Sequence, residues 1–179
     1  MATSVMLDLE TLGTSPDCVI LSIGAIKFDP YTFKDPHSEF YMKLNVDEQI
    51  DMGRSIDEST IMWWSKQESS IQEDAFSESD RKSIDFFVKE LNRYCVAVDD
   101  FWCQGPTFDF VILENLYRQL ERPTPWQYWQ IRDSRTVFKM MPIDPRKAIQ
   151  ESAHNALADC YYQAVSVQKS YKHFGIRRR

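Results

Sequence analysis

The chain of 179 residues has the length of one ordinary domain, and its 43% hydrophobic and 27% charged residues are typical of a globular protein with a substantial core. The net charge of −6 argues against a protein that holds nucleic acid through a broad basic surface, but not against an acidic site neutralised by metal. No stretch approaches the roughly 20 apolar residues of a membrane helix, and the N-terminus lacks the pattern of a secretory signal. We therefore expect a cytoplasmic protein without a membrane partner.

The first predicted element is a strand that contains "MLDLETLG" at residues 6–13. Because a strand alternates its faces, Asp8 and Glu10 share one face and the apolar residues at positions 5, 7 and 9 share the other. Two like charges on one face repel each other unless a positive charge lies between them. An edge strand with one solvated face is the alternative, although a strand this apolar is more often central.

Two further strands follow. The apolar run "CVILSIGAIKFDP" (18–30) predicts a central strand, and the alternating segment "EFYMKL" (39–44) predicts another. The short link through Pro30 and Pro36 favours an antiparallel hairpin. Farther along, the period changes to that of helices, and predicted helices over 84–95, 108–120 and 155–171 alternate with strands within 98–105 and 126–133. This order predicts an α/β fold with a mixed sheet.

Asp109 is in line with Leu113, Leu116 and Leu120 at intervals of four, three and four residues, at the N-terminal end of a buried helical stripe. Helix capping is the alternative explanation, because acidic residues are favoured in the first turn. Capping accounts for an acid near a helix start, but less readily for one in line with the core.

Asp159 repeats this pattern near the start of the last helix, beside Ala156 of its apolar stripe. His154 precedes it by five residues, about 140° around an ideal helix. If both residues serve one site, His154 lies at or before the helix entrance. A lone histidine with a purely structural role is the alternative.

Four acids on apolar elements could not all stay ionised together without compensating charge. Mg²⁺ or Mn²⁺ with oxygen ligands would supply that charge, and two such ions about 4 Å apart suit phosphodiester chemistry. A histidine with a pKa near neutrality could take the proton from an attacking water. The four acids are Asp8, Glu10, Asp109 and Asp159.

Three ordered motifs resemble those of the DEDDh (DnaQ-like) 3′→5′ exonucleases. "LDLETLG" resembles the DxE motif, "GPTFDFVIL" the second motif with Asp109, and "HNALAD" the HxAxxD motif with His154 and Asp159. The resemblance implies a single exonuclease domain over residues 1–179 and a ribonuclease H-like fold with a five-stranded mixed sheet of order 3-2-1-4-5. It also implies two ions held by the four acids, with Asp8 bridging both and His154 as general base.

The implied activity is hydrolysis from the 3′ end of single-stranded nucleic acid to nucleoside 5′-monophosphates. "TIMWWSKQ" (60–67) and "WCQGPTFD" (102–109) are similar to the phage exonuclease A and RNase AS branch. The similarity to the phage enzyme favours DNA over RNA as the expected substrate. An exoribonuclease and a catalytically inactive binding module are the alternatives. Gly105 stands where the proofreading members have an asparagine, so that substrate contact is not expected here. Asp133, in "IRDSRTVFKM", is interpreted as structural.

Substrate contacts are predicted from the same resemblance. Thr11 and Leu12 follow the DxE motif, where the family contacts the terminal nucleotide. Trp64, rather than Trp63, is favoured as a residue that lines the site, and Phe108 lies beside Asp109; core packing is the alternative for both aromatic residues. The oligomeric state stays open, since several family members are homodimers and no self-complementary patch is evident.

The remaining features carry less information. The four cysteines form no CxxC pair and three lie in apolar surroundings, so a zinc site or a disulfide framework is not expected. The basic segment Arg177–Arg179 is either a solvated tail or a phosphate contact.

Overall fold

The computed structural model describes residues 4–147 and 155–178 and contains a five-stranded mixed sheet of order β3-β2-β1-β4-β5. The β1–β2 and β2–β3 pairs are antiparallel, and the β1–β4 and β4–β5 pairs are parallel. This topology confirms the predicted ribonuclease H-like sheet. The strands are β1 (Ser4–Thr11), β2 (Ile20–Phe28), β3 (His37–Lys43), β4 (Asp100–Cys103) and β5 (Ile131–Asp133).

The three long periodic helices lie where the sequence predicts them, whereas short helices without a clear period were not predicted. The strand predicted within 126–133 is present but short: its last three residues form β5, after a 3-10 turn at Tyr128–Gln130. The Gln130 side chain stabilises this turn by accepting the backbone N–H of Gln127 at 2.9 Å. The helices are α1 (Val46–Asp51), α2 (Glu58–Trp64), α3 (Ser69–Phe76), α4 (Ile84–Tyr94), α5 (Asp109–Gln119), α6 (Ser134–Met140) and α7 (Ala156–His173).

Strand β1 is the middle strand of the sheet, so the edge-strand alternative is wrong. Val5, Leu7 and Leu9 are buried in the main hydrophobic core, to which α4 and α5 contribute. Met6 points to the opposite face and packs with apolar residues of α7. By the alternation of the strand, the carboxylate of Asp8 lies on the α7 side of the sheet.

Helix α7 approaches the sheet closely because residue 24 of β2 is glycine. Gly24 pairs with Asp8 across the two strands, and a Cβ at this position would lie 2.3 Å from the carbonyl carbon of Ala156. The thiol of Cys160 contacts the Gly24 carbonyl at 3.3 Å. Gly24 therefore lets the first turn of α7, which carries Asp159, lie directly against the strand pair that carries Asp8.

The C-terminal basic segment lies away from the carboxyl end of β1. Arg178 forms an ion pair with Asp29 at 2.6 Å, and its guanidinium stacks over the ring of Tyr31 at 5.3 Å. Asp29 directly follows β2, which runs antiparallel to β1, so this ion pair lies at the opposite end of the sheet from Glu10. Arg179 lies outside the described residues.

The four cysteines are buried and none forms a disulfide, as the sequence predicts. In the two described ranges, no helix combines the length and the apolar character that crossing a membrane requires.

Candidate active site

Carboxylates from two elements converge at the carboxyl end of β1. Asp8 and Glu10 of β1 and Asp159 of α7 each place an oxygen within 4.8 Å of the others. They line a cleft of about 650 Å³, whose walls include the rings of Trp63 and Phe108. The fold therefore brings together three of the four acids that the sequence singled out.

Asp109, the fourth acid, is buried against the backbone of β1, beside this group. Its side chain is only 3% exposed, and its Oδ1 accepts the backbone N–H of Leu9 at 3.2 Å. It is the first residue of α5, whose N-cap is Phe108, and no side-chain capping hydrogen bond is formed there. Asp109 therefore occupies the first turn, as the capping alternative expects, but its carboxylate also reaches across to β1, which capping alone does not explain.

The acidic cluster is electrostatically strained without a cation. Burial and then the negative charge of Asp109 raise the pKa of Asp8 well above its usual value, and Glu10 and Asp159 raise it further. Burial raises the pKa of Glu10 to about 8, with smaller contributions from Asp159 and Asp109. Burial likewise raises the pKa of Asp109 to about 7. Removal from water and like-charge repulsion both disfavour the ionised carboxylates, and a bound cation would reverse both effects.

The donor set fits a hard divalent cation. Carboxylate oxygens are the ligands that Mg²⁺ and Mn²⁺ prefer, and three of them converge here. In the part of the chain that the structure describes, neither Asp8 nor Glu10 forms an ion pair with a lysine or arginine. Within these residues, no lysine or arginine therefore compensates the charge of the two carboxylates by an ion pair.

Gln163 is a site residue that the sequence reasoning missed. Its Nε2 donates to Oδ1 of Asp8 at 3.2 Å, and its buried Oε1 has no partner within residues 4–147 and 155–178. Gln163 follows Asp159 by four residues, so both side chains lie on one face of α7. A polar residue one turn after Asp159, between the apolar positions Cys160 and Ala164, was the signal that could have identified it.

The predicted substrate contacts have different outcomes. Thr11 lines the cleft, but its hydroxyl donates to the Gly13 carbonyl at 2.7 Å. Leu12 is only 4% exposed and packs with Val19 and Leu21 in a small apolar cluster, and it is not part of the cleft lining. Leu12 is therefore a core residue in this conformation, and its prediction as a contact with the terminal nucleotide is not supported.

The prediction for the tryptophan pair requires a correction. Trp64 touches the cleft but is 1% exposed, and its indole N–H donates to the Thr11 carbonyl at 2.9 Å, so it offers no free face for a base. Trp63 lines the same cleft and is 41% exposed. Adjacent helical residues point about 100° apart, so the burial of one ring exposes the other. Phe108, on another wall, is half-buried and lines the cleft as predicted.

Two other predicted residues have separate outcomes. Asp133 is the N-cap of α6 and accepts the backbone N–H groups of Arg135 at 3.1 Å and Thr136 at 3.2 Å, which confirms its structural interpretation. His154 lies outside the described residues. Its neighbour Asn155 is the N-cap of α7. The role of His154 therefore stays a prediction.

Comparisons with known proteins agree with this geometry. The family model described as a 3′-5′ exoribonuclease Rv2179c-like domain matches residues 3–171. An exodeoxyribonuclease of Enterobacteria phage T4 is 28% identical over 190 residues, which cover 87% of this chain and 83% of that protein.

Solved structures share the fold at low sequence identity. E. coli exonuclease I in complex with a dA16 oligonucleotide superposes with a TM-score of 0.65 at 14% identity, over 96% of this chain but only 41% of that longer one. The nuclease domain of 3′hExo, a DEDDh family member bound to rAMP, has a TM-score of 0.62 at 11% identity, covering 98% and 94% of the two chains. The family match spans nearly the whole sequence, and the chain therefore belongs to the 3′-5′ exoribonuclease Rv2179c-like family of DEDDh exonucleases and is a 3′→5′ exonuclease.

Proposed function

We propose that this protein removes nucleotides one at a time from the 3′ end of single-stranded nucleic acid, preferably DNA, and releases nucleoside 5′-monophosphates. The observation that carries the proposal is the convergence of three carboxylates within 4.8 Å of one another in a cleft of about 650 Å³. A cleft of this volume is suited to a ligand of nucleotide size.

Two Mg²⁺ or Mn²⁺ ions are the proposed cofactors, with Asp8, Glu10, Asp109 and Asp159 as their ligands. When bound, they would neutralise the phosphate charge and activate the attacking water. The contribution of the chain itself is to hold the ligands in place. Gln163 fixes the orientation of the Asp8 carboxylate through Oδ1, and the backbone N–H of Leu9 does the same for Asp109.

The aromatic walls are proposed to hold the terminal nucleotide. The rings of Trp63 and Phe108, both partly accessible, offer stacking surfaces on the walls of the cleft. Trp64 acts indirectly, because its hydrogen bond to the Thr11 carbonyl ties α2 to the end of β1. Thr11 would thereby keep a fixed position beside the 3′-terminal sugar.

His154 is proposed as the general base that takes the proton from the attacking water. It directly precedes Asn155, the N-cap of the helix that carries Asp159. Histidine has an unperturbed pKa near neutrality, the range that this step requires. We also propose that residues 1–179 form one exonuclease domain, since the family model matches residues 3–171.

An exoribonuclease activity is the second candidate. The description of the family model favours RNA, whereas the phage relative is an exodeoxyribonuclease. A protein that selects RNA uses contacts to the 2′-hydroxyl. The hydroxyls of Thr11, Ser59 and Thr60 line the cleft, and each donates its proton within the protein, to Gly13 or Asp57, so these three could only accept a hydrogen bond from a 2′-hydroxyl. We rank DNA first because the phage relative, which matches over 83% of its length, is an exodeoxyribonuclease.

The test uses 5′-labelled single strands of one sequence, as DNA and as RNA, incubated with Mn²⁺ or with EDTA and resolved by length. We expect a metal-dependent ladder that shortens from the 3′ end, with the DNA strand degraded faster. Faster degradation of RNA would make the protein an exoribonuclease. Absence of cleavage with either strand would favour the catalytically inactive binding module.

A further inference from the structure

A second cavity, of about 420 Å³, lies beside the acidic cleft and shares the side chains of Gln104 and Arg146 with it. Helix α6 contributes Arg135 and Lys139 to its lining. We call the surface formed by Gln104, Arg135, Lys139 and Arg146 the α6 groove. Because the two cavities share two residues, a nucleic-acid strand that leaves the cleft on the side of β4 would enter the α6 groove.

The α6 groove is basic in a protein whose net charge is −6. Arg135 and Lys139 are exposed, and within residues 4–147 and 155–178 neither forms an ion pair. Arg146 is paired with Asp144 at 2.6 Å and also donates to Oε1 of Gln104 at 2.8 Å. The groove therefore offers two positive side chains that form no ion pair in the described ranges, and one guanidinium that is already held in place.

Arg135 is held beside the connection between β4 and α5 by a hydrogen bond to the backbone. Gly105 has a φ of +121°, and a Cβ at this position would lie 3.5 Å from Nη2 of Arg135. The same Nη2 donates to the Gln104 carbonyl at 2.9 Å. The guanidinium thus lies over the backbone that leads from β4 to Asp109. An arginine fixed in this way retains further N–H groups that can bind a phosphate.

Helix α2, on the other side of the cleft, carries no such charges, and the nearest lysine along the chain is Lys66, two residues after its end. This helix, on the β2 side, begins with Glu58 after its N-cap Asp57. A polyanion whose 3′ end lies at the acidic cluster would be repelled along α2 and attracted along α6.

We propose that the α6 groove binds the backbone phosphates of the strand upstream of the 3′-terminal nucleotide, with Arg135 and Lys139 as the phosphate ligands. This inference rests on the proposed exonuclease function and adds the path of the strand. The contacts are to phosphates, so they carry no base preference, and they favour strands of several nucleotides over dinucleotides.

The test compares Arg135→Ala/Lys139→Ala with Lys89→Ala/Arg118→Ala. The control pair also removes two positive charges from exposed helical positions without ion pairs in the described ranges, and it lies on α4 and α5. An Asp8→Asn background prevents degradation. Fluorescence anisotropy with a labelled 12-nucleotide DNA strand and Mg²⁺ then gives Kd at several salt concentrations.

We expect the α6 variant to weaken binding about tenfold or more and to lower the slope of log Kd against log salt by about 1.4, or roughly 0.7 for each lost phosphate contact. The control pair should change Kd less than about twofold, and a dinucleotide should lose less affinity than the 12-nucleotide strand. Equal effects of the two pairs would overturn the proposal, because only net charge would then matter.

The unmutated protein, incubated with the same 12-nucleotide strand and Mn²⁺, separates the two ideas. If it degrades the strand while both variant pairs bind with the same salt slope, only the inference about the α6 groove fails. If it does not degrade the strand, the proposed function fails, and the groove inference fails with it.

Discussion

Acidic residues at the two ends of the sheet differ in whether the described protein supplies them with a positively charged partner. At one end, Asp29 is paired with Arg178 at 2.6 Å, and it also accepts the backbone N–H of Tyr31 at 3.0 Å. At the other end, Asp8 and Glu10 are largely withdrawn from water without an ion pair in the described ranges, and their pKa values are raised. A fold that satisfies one acid and leaves others uncompensated indicates where an external positive charge belongs.

Asp144 extends this comparison to the rim of the cleft. Hydrogen bonds from the Arg146 side chain lower the pKa of Asp144 to about 2, so this acid remains ionised without any ion. Asp144 lines the second cavity, whereas Glu10, whose pKa is raised to about 8, lines the acidic cleft. Burial and the available partner, rather than residue type, separate a structural carboxylate from a candidate metal ligand.

The largest expected effect comes from exchanging one acid at each end of the sheet. Asp8→Asn should lower the rate of strand hydrolysis by about 10³-fold, because it removes a group that holds the reacting phosphate through the ions. It should also raise the melting temperature in EDTA, because like-charge repulsion is relieved. Asp29→Asn is the matched control, and it should leave the rate unchanged and cost at most about 1 kcal/mol of stability.

Rate measurements and thermal melts of both variants check this prediction. An Asp8→Asn enzyme with substantial activity would contradict the assignment of Asp8 as a metal ligand. A large rate loss in Asp29→Asn would mean that the two ends of the sheet do not differ as argued.

His154 should separate proton transfer from metal binding at the acidic end. His154→Ala is expected to slow hydrolysis about 10²–10³-fold, since a general base contributes on this scale. Titration calorimetry with Mn²⁺ should show nearly unchanged ion affinity, and the dependence of the rate on pH should lose its acidic limb. Parallel losses of rate and ion affinity would instead make His154 a ligand.

Gln163 tests whether the orientation of Asp8 matters. Gln163→Leu keeps the size of the side chain but removes the hydrogen bond to Oδ1 of Asp8. We expect ion affinity and rate to fall by about 10–100-fold, as is typical when the hydrogen-bond partner of a metal ligand is lost. Gln163→Glu would place another carboxylate in the cluster, so metal-free protein of this variant should melt at a lower temperature at pH 8 than the parent.

The smallest expected effect is a pH dependence of stability without metal. The pKa of Glu10 is raised from 4.5 to about 8 in the folded state, so between these values the folded protein holds a proton that the unfolded chain has released. Raising the pH through this window therefore favours unfolding, by at most about 1.4 kcal/mol per pH unit for each such group, and the effect ends above pH 8.

Denaturant titrations in EDTA at pH 5.5, 7 and 8.5 measure this slope. Glu10→Gln should reduce the slope, and saturating Mg²⁺ should flatten or reverse it. Stability that rises with pH in EDTA would contradict the raised pKa.

Much of this arrangement can be predicted from the sequence, because it depends on the hydrophobic periodicity of single elements and on the order of the motifs. The alternation in β1 correctly predicts that Asp8 lies on the face opposite Val5. The position of Asp109 in the apolar stripe of α5 correctly predicts that it is buried. The three motifs, in their order, resemble a family whose strand order is the one observed in the sheet. These features follow from the chain alone, because each depends on neighbours within one or two turns or on a family pattern.

Other features depend on contacts between distant segments and could not be predicted. The spacing of Trp63 and Trp64 shows that one ring points inward, but only the hydrogen bond from Trp64 to Thr11 decides which one. Leu12 is drawn into a cluster with residues of β2, which its position after the DxE motif does not reveal. Helix α6 is too short for a reliable period, and the groove that it forms was missed with it.

The missing methyl group at Gly24 has a consequence for the choice of ion. The contact of 2.3 Å that a Cβ would make with Ala156 means that even alanine would push α7 outward and widen the gap between Asp159 and the carboxylates of β1. Mg²⁺ needs oxygens at about 2.0–2.1 Å in strict octahedral geometry, whereas Ca²⁺ accepts about 2.3–2.6 Å in looser shells. Gly24 thereby keeps the Asp159 carboxylate close to those of β1, as the compact octahedral shell of the proposed Mg²⁺ would require.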